Sequence, residues 1–158
     1  MTDAPARGIA LARLIASGLG SGYSPRAPGT AGSLLALLLG IPLLLGPPGT
    51  LALAILLASL LGLWAIHTAN IDGDPGWVVI DEIAGQWTAL LGLSHPSALG
   101  LIAAFALFRL LDIAKPGPIA WADRQKSAAG IMADDLIAGA IAAGILWATN
   151  RHWPGVLG

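Results

Sequence analysis

The sequence predicts an all-α integral membrane bundle of about five hydrophobic helices with an N-terminal amphipathic segment. Apolar residues make up 56% of the 158 residues and charged residues 11%, whereas soluble domains carry about 25% charged residues. The mean hydropathy is +0.76, and the apolar residues form runs that approach the length of a membrane span. The length is that of one domain, so residues 1–158 are expected to form a single membrane-embedded domain.

The N-terminal region is amphipathic. Residues 1–16 contain Arg7 and Arg13 but also Asp3 and Pro5, and their apolar positions are not continuous. This pattern favours a retained interfacial segment over a cleaved signal peptide. Residues 18–33 are rich in glycine, proline and hydroxyl side chains, and this composition predicts a loop that contains no helix interior.

Five apolar segments follow, and polar or glycine- and proline-rich connections separate them. They are residues 34–45, 51–66, 78–93, 98–113 and 131–149. Pro42 predicts a kink in the first segment. The second, together with its flanking threonines and His67, reaches the roughly 17–20 residues that a span needs. Residues 116–130 are expected to form a short amphipathic or irregular piece.

Alternating the five segments across a bilayer separates the charges. All nine carboxylates and seven of the eight Lys and Arg residues fall on the face of the N-terminus, and Arg151 is the exception. The positive-inside rule makes that face cytoplasmic. It does not account for the carboxylates, which therefore point to a functional site on the same face.

Carboxylates stand at the charged ends of three predicted helices. They are Asp81 and Glu82, Asp112, and Asp134 and Asp135. Mg²⁺ prefers hard oxygen ligands and often completes its coordination with a substrate phosphate, so convergence of these side chains would create a Mg²⁺ site. The alternative for each acidic pair is that it complements a helix dipole in the first turn.

Cations and hydroxyls near the same face could bind phosphate oxygens. The candidates are Arg109, Lys115, Arg124, Arg26, Ser24, Thr30 and Ser33. Two alternatives remain open. Arg109 and Asp112 lie three residues apart and could form an interfacial pair. The glycine-rich loop lacks the Gly-Lys-Ser/Thr ending of a P-loop and could be a re-entrant turn.

Several classes of chemistry are excluded. The chain has no cysteine, which removes thiolate nucleophiles and cysteine-bound zinc. A net charge of −1 and the lack of a basic, aromatic-interleaved run argue against a nucleic-acid partner. The sequence also lacks the nucleophile patterns of aspartyl-phosphate and histidine-dependent phosphatases. Direct attack by a metal-activated water, with a carboxylate as base, remains.

Four blocks in fixed order resemble the phosphatidylglycerophosphatase A family, and the similarity runs from about residue 14 to the end. They are Gly-Ser-Gly-Tyr-Ser-Pro-Arg-Ala-Pro-Gly-Thr-Ala-Gly-Ser (20–33), Val-Val-Ile-Asp-Glu-Ile-Ala-Gly-Gln-Trp (78–87), Phe-Arg-Leu-Leu-Asp-Ile-Ala-Lys-Pro-Gly-Pro-Ile (108–119) with Asp123-Arg124, and Gly-Ile-Met-Ala-Asp-Asp-Leu-Ile-Ala-Gly (130–139). Residues 127–130 depart from the family, which has a glycine-rich stretch there.

The resemblance implies a Mg²⁺-dependent enzyme of the bacterial inner membrane. Such an enzyme removes the terminal phosphate of phosphatidylglycerophosphate to give phosphatidylglycerol, and its partners are this substrate and bilayer lipids. The resemblance also implies that the five carboxylates named above bind metal and act in catalysis. Arg109, Lys115 and Arg124 would then lie at the phosphate.

Two rival functions stay open at this point. One is a lipid transferase similar to the CDP-alcohol phosphotransferases, although their Asp-Gly-x₂-Ala-Arg motif is missing. The other is a divalent-cation carrier without enzymatic activity. A carrier would be expected to place acidic groups near the middle of the membrane, and this sequence places them at one end.

Overall fold

The computed structural model describes residues 4–157 and confirms the all-α class. Its regular structure in this range is helical, with seven α-helices and one 3₁₀ turn at Ser21–Tyr23. The α-helices are α1 (Ala4–Ala16), α2 (Pro28–Leu45), α3 (Thr50–Thr68), α4 (Ile80–Leu90), α5 (Ala98–Ala114), α6 (Pro118–Asp123) and α7 (Ala128–His152).

The predicted count of about five spanning helices is not matched. By length and composition, three of the described helices could cross a membrane, namely α2, α3 and α7. Helix α4 has only 11 residues, which is roughly 16 Å at 1.5 Å per residue and about half of a hydrocarbon core. Helix α4 covers only part of the predicted segment 78–93. Val79 is its N-cap and donates its N–H to the Ala16 carbonyl at 2.9 Å, and residues 91–93 form turns in which each N–H bonds to the carbonyl three residues earlier.

Two predicted helix starts are also wrong. Helix α2 begins at Pro28, where proline is tolerated because a first-turn N–H has no partner within the helix. Thr30 and Ser33 are therefore helical and do not lie in a loop. Helix α7 begins at Ala128, capped by Ser127. Asp134 and Asp135 thus lie nearly two turns inside the helix, beyond the first turn in which the helix dipole acts.

Helix α4 is the centre of the bundle. It contacts α2, α3, α5 and α7, whereas α1 packs on α3 and α6 packs on α7. Eight of its eleven residues are buried, and Asp81 is among them. The short helix therefore carries its first-turn carboxylates into the middle of the protein, enclosed by the longer helices.

Glycines allow α4 and α7 to approach closely. A Cβ atom on Gly139 would overlap the carbonyl oxygen of Gly85, and one on Gly85 would lie 2.7 Å from the carbonyl oxygen of Asp135. The side chain of Phe108 on α5 fills the space beside Gly85, 2.5 Å from the same Cβ position. This crossing brings Asp135 of α7 next to the start of α4.

Substitution of Gly139 by alanine is expected to destabilise the protein by about 1–3 kcal/mol, because overpacking would force α4 and α7 apart. The matched control is Gly144→Ala on the same helix, where an added Cβ meets no atom within 4 Å. Alanine there should stabilise the helix by about 0.5–1 kcal/mol. Thermal unfolding of both variants in detergent measures the difference. Equal unfolding temperatures would show that the crossing is not tightly packed.

Candidate active site

Three carboxylates from two helices form a compact group. Asp81 and Glu82 come from α4 and Asp135 from α7, and one oxygen from each lies within 4.8 Å of the others. Asp81 and Asp135 are buried, and the Glu82 side chain is 15% exposed. The prediction that carboxylates from separate helices meet is therefore confirmed for these three residues, which we call the carboxylate group.

The carboxylate group has unsatisfied oxygens. Asp81 Oδ1, Glu82 Oε2 and Asp135 Oδ2 are buried, and none of them has a hydrogen-bond partner in the part of the chain that the structure describes. Burying a carboxylate without a partner is costly, and like charges at this spacing repel each other. A divalent cation with a preference for hard oxygen ligands would relieve both costs. The residues present therefore fit a metal ion of the Mg²⁺ type.

Arg109 lies at the edge of the carboxylate group. Its Nη1 atom donates a hydrogen bond to Asp112 Oδ2 at 2.5 Å and lies 3.9 Å from Glu82 Oε1. The side chains of Arg109 and Asp112 are 15% and 13% exposed. Asp112 also interacts electrostatically with Glu82 and Asp135. Asp112 is thus next to the group, and its closest contact is the arginine.

Asp134 belongs to a second ion-pair network. Lys115 Nζ donates hydrogen bonds to Asp134 Oδ2 at 2.7 Å and to Asp123 Oδ1 at 2.6 Å. Burial by itself lowers the pKa of Lys115, but these two hydrogen bonds outweigh it and raise the pKa above its ordinary value. The hydrogen bond from Lys115 lowers the pKa of Asp123. Lys115 therefore joins α6 to α7, and its charge is shared between two carboxylates.

Four predicted phosphate-binding residues lie outside these networks. Arg26 is exposed before α2, Arg124 is exposed after α6, and Ser24 and Thr30 are half-buried. Within residues 4–157, no hydrogen bond or ion pair connects their side chains to the carboxylate group.

Two features of the site were not predicted from the sequence. Gln86 is fully buried, and neither of its amide atoms has a partner among the described residues. Gln86 lies four residues after Glu82 and so on the same side of α4. This spacing is a sequence signal that could have identified Gln86 as a site residue. No spacing in the sequence identifies Gly29 as a site residue. A Cβ atom there would overlap Glu82 Oε1, a proximity that only the packing of α2 on α4 reveals.

Comparisons with known proteins agree on one family. The family model described as "Phosphatidylglycerophosphatase A" matches residues 14–150. Phosphatidylglycerophosphatase A of Escherichia coli K12 is 42% identical over 145 residues, which cover 89% of this chain and 84% of that protein. The protein of the same name from Haemophilus influenzae is 38% identical over 146 residues, covering 89% and 88%.

A third relative carries a different name. A Bacteroides thetaiotaomicron protein, provisionally named a phosphatidylinositol-3-phosphatase, is 41% identical over 135 residues, covering 80% of this chain and 85% of its own. No solved structure matches the chain. The region matched by the family model contains every site residue predicted from the sequence, from Ser24 to Asp135.

Proposed function

The chain belongs to the phosphatidylglycerophosphatase A family, and we propose from this that it hydrolyses the terminal phosphomonoester of phosphatidylglycerophosphate to phosphatidylglycerol and inorganic phosphate. Its relatives named phosphatidylglycerophosphatase A support lipid phosphatase activity. The observation that carries the proposal is the carboxylate group, which contains three buried oxygens without a partner in residues 4–157 and has Glu82 Oε1 at 3.9 Å from Arg109 Nη1.

We propose that Asp81, Glu82 and Asp135 hold Mg²⁺. When bound, the metal would supply a Lewis acid that polarises phosphoryl oxygens and lowers the pKa of a water molecule. The chain itself supplies the remaining functions. Arg109 binds the phosphoryl oxygens and stabilises the charge that develops during hydrolysis. Glu82 has the most accessible side chain of the three, and its carboxylate accepts the proton of the attacking water and returns a proton to the departing lipid oxygen.

In this proposal, the remaining carboxylates and cations have supporting roles. Asp112 fixes Arg109 through their 2.5 Å hydrogen bond, and Asp134 fixes Lys115. Lys115 adds positive charge near the phosphate while it stays paired with Asp123 and Asp134. Arg26, Arg124, Ser24 and Thr30 are proposed only as contacts for the outer part of the headgroup, because they lie outside both networks.

We propose that the enzyme is a single domain of the bacterial inner membrane with this site on the cytoplasmic face. Three apolar helices support membrane association, and the bacterial relatives support the assignment to a bacterial membrane. The excess of Lys and Arg on the side of the N-terminus supports the orientation. A site at the boundary between the cytoplasm and the bilayer would leave the acyl chains of the substrate in the bilayer and admit only its headgroup.

The test is release of inorganic phosphate by the purified protein in detergent micelles. We expect release from phosphatidylglycerophosphate in the presence of Mg²⁺, loss of activity with EDTA, and recovery when Mg²⁺ is added in excess. Release of CMP from CDP-diacylglycerol without phosphate would favour the transferase. Ion flux in proteoliposomes without phosphate release would favour the carrier. Either result would overturn the proposal.

A second headgroup belongs in the same assay because of the Bacteroides relative. Phosphatidylinositol 3-phosphate also presents a phosphomonoester on a lipid headgroup, so the carboxylate group and Arg109 could act on it by the same chemistry. We expect the larger kcat/KM for phosphatidylglycerophosphate, since two relatives carry that activity in their names. A larger kcat/KM for phosphatidylinositol 3-phosphate would change the proposed substrate but not the proposed type of reaction.

A further inference from the structure

Ser33 on α2 contacts the guanidinium of Arg109 on α5. Ser33 lies in the second turn of α2 and is fully buried. Its Oγ donates a hydrogen bond to the Gly29 carbonyl at 2.8 Å and accepts one from Arg109 Nη1 at 3.4 Å. A serine hydroxyl has one donor and two acceptor positions, so both contacts can form together.

Gly29 provides the space for this contact. A Cβ atom at Gly29 would overlap Glu82 Oε1 and would lie 3.1 and 3.2 Å from the two terminal nitrogens of Arg109. Any larger residue would therefore displace either the carboxylate or the guanidinium. The absence of a side chain lets both groups lie against the backbone at the start of α2.

Three groups from three helices contact one terminal nitrogen of Arg109. Asp112 on α5, Glu82 on α4 and Ser33 on α2 all lie against Nη1, whereas the buried Nε atom has no partner within residues 4–157. A guanidinium is a planar fork whose orientation determines which oxygens it can bind. Ser33 adds a neutral contact from α2 to the two acidic contacts from α4 and α5, and the three together hold Nη1 from three helices.

We infer that Ser33 is a positioning residue for Arg109 and that Gly29 leaves the room that this arrangement needs. Ser33 would thus act on the substrate through the arginine. The inference rests on the proposed phosphatase function and specifies how its phosphate-binding cation is oriented.

The first test is Ser33→Ala, with Ser59→Ala as the matched control. Ser59 on α3 makes the same type of bond, from its Oγ to the Ile55 carbonyl at 2.8 Å. We expect Ser33→Ala to lower kcat/KM about three- to tenfold, the scale of a typical net hydrogen bond, because the 3.4 Å contact is longer than most hydrogen bonds to nitrogen donors. The inhibition constant for inorganic phosphate should rise in parallel. Ser59→Ala should leave both values within twofold of wild type.

The second test is a double-mutant cycle with Arg109→Lys. If Ser33 acts through the guanidinium, Ser33→Ala should change kcat/KM less than twofold in the Arg109→Lys background. Additive losses would overturn the inference, and so would wild-type activity of the single variant. If Ser33→Ala does not fold, Ser33→Cys keeps the size of the side chain, replaces the hydroxyl by a weak acceptor and is judged in the same way.

The two proposals can fail separately. A wild-type protein that releases phosphate from a lipid, together with an equally active Ser33→Ala variant, would overturn only the role of Ser33. A wild-type protein that releases no phosphate from any lipid phosphomonoester would overturn the proposed function itself.

Discussion

Replacing Asp135 by asparagine is expected to lower phosphate release by about 10³-fold or more, the scale of losing a group at the centre of a catalytic site. The same variant should be more stable than wild type in the presence of EDTA. Without metal, three carboxylates lie within 4.8 Å of one another, and asparagine removes one of the repelling charges while keeping the shape of the side chain.

Thermal unfolding with EDTA and with Mg²⁺ separates a metal ligand from a structural residue. Binding to the folded state stabilises a protein in proportion to the logarithm of ligand concentration over Kd, so wild type should unfold at higher temperature with Mg²⁺. Asp135→Asn should lose this shift. Asp123→Asn is the control, because that carboxylate pairs with Lys115 outside the carboxylate group and should retain the shift. A full Mg²⁺ shift in Asp135→Asn would show that Asp135 is not a ligand.

The meeting of charged helix ends could be predicted from the sequence, but their division into two networks could not. Ionisable groups in apolar segments must find partners, which is why Asp81, Asp112 and Asp135 were expected to converge. Adjacent residues on a helix point about 100° apart. Whether Asp134 or Asp135 faces α4 depends on how α7 is rotated, and the contact between Gly85 and Gly139 determines this rotation.

The number of spanning helices could not be predicted because hydropathy does not distinguish lipid from protein surroundings. Helix α4 carries polar side chains in an otherwise apolar sequence, and its neighbours bury it, with Ala84 and Leu90 fully inaccessible. Helix α3 is more apolar and exposes Leu53, Leu56 and Leu60 along its length. A short apolar run fits either environment, and only the packing shows that α4 is an interior helix.

The second large effect is expected for Arg109→Lys, which should lower kcat/KM by about 10²- to 10³-fold. Lysine keeps the positive charge but is a point donor that cannot hold Asp112, Glu82 and a phosphate with one planar fork. An uncharged residue is a poorer test, because removing one partner of a buried ion pair costs about 3–5 kcal/mol and would confuse loss of activity with unfolding.

The Arg109→Lys variant should separate the contribution of the arginine from that of the metal. Because Arg109 is not one of the three metal-binding candidates, Arg109→Lys should keep the rise in unfolding temperature with Mg²⁺ while losing affinity for inorganic phosphate as an inhibitor. Arg151→Lys is the control, since Arg151 is exposed in the last turn of α7 and should behave as wild type. If Arg109→Lys hydrolyses the lipid at the wild-type rate, the phosphate must be bound by other cations, and Lys115 would be the next to replace.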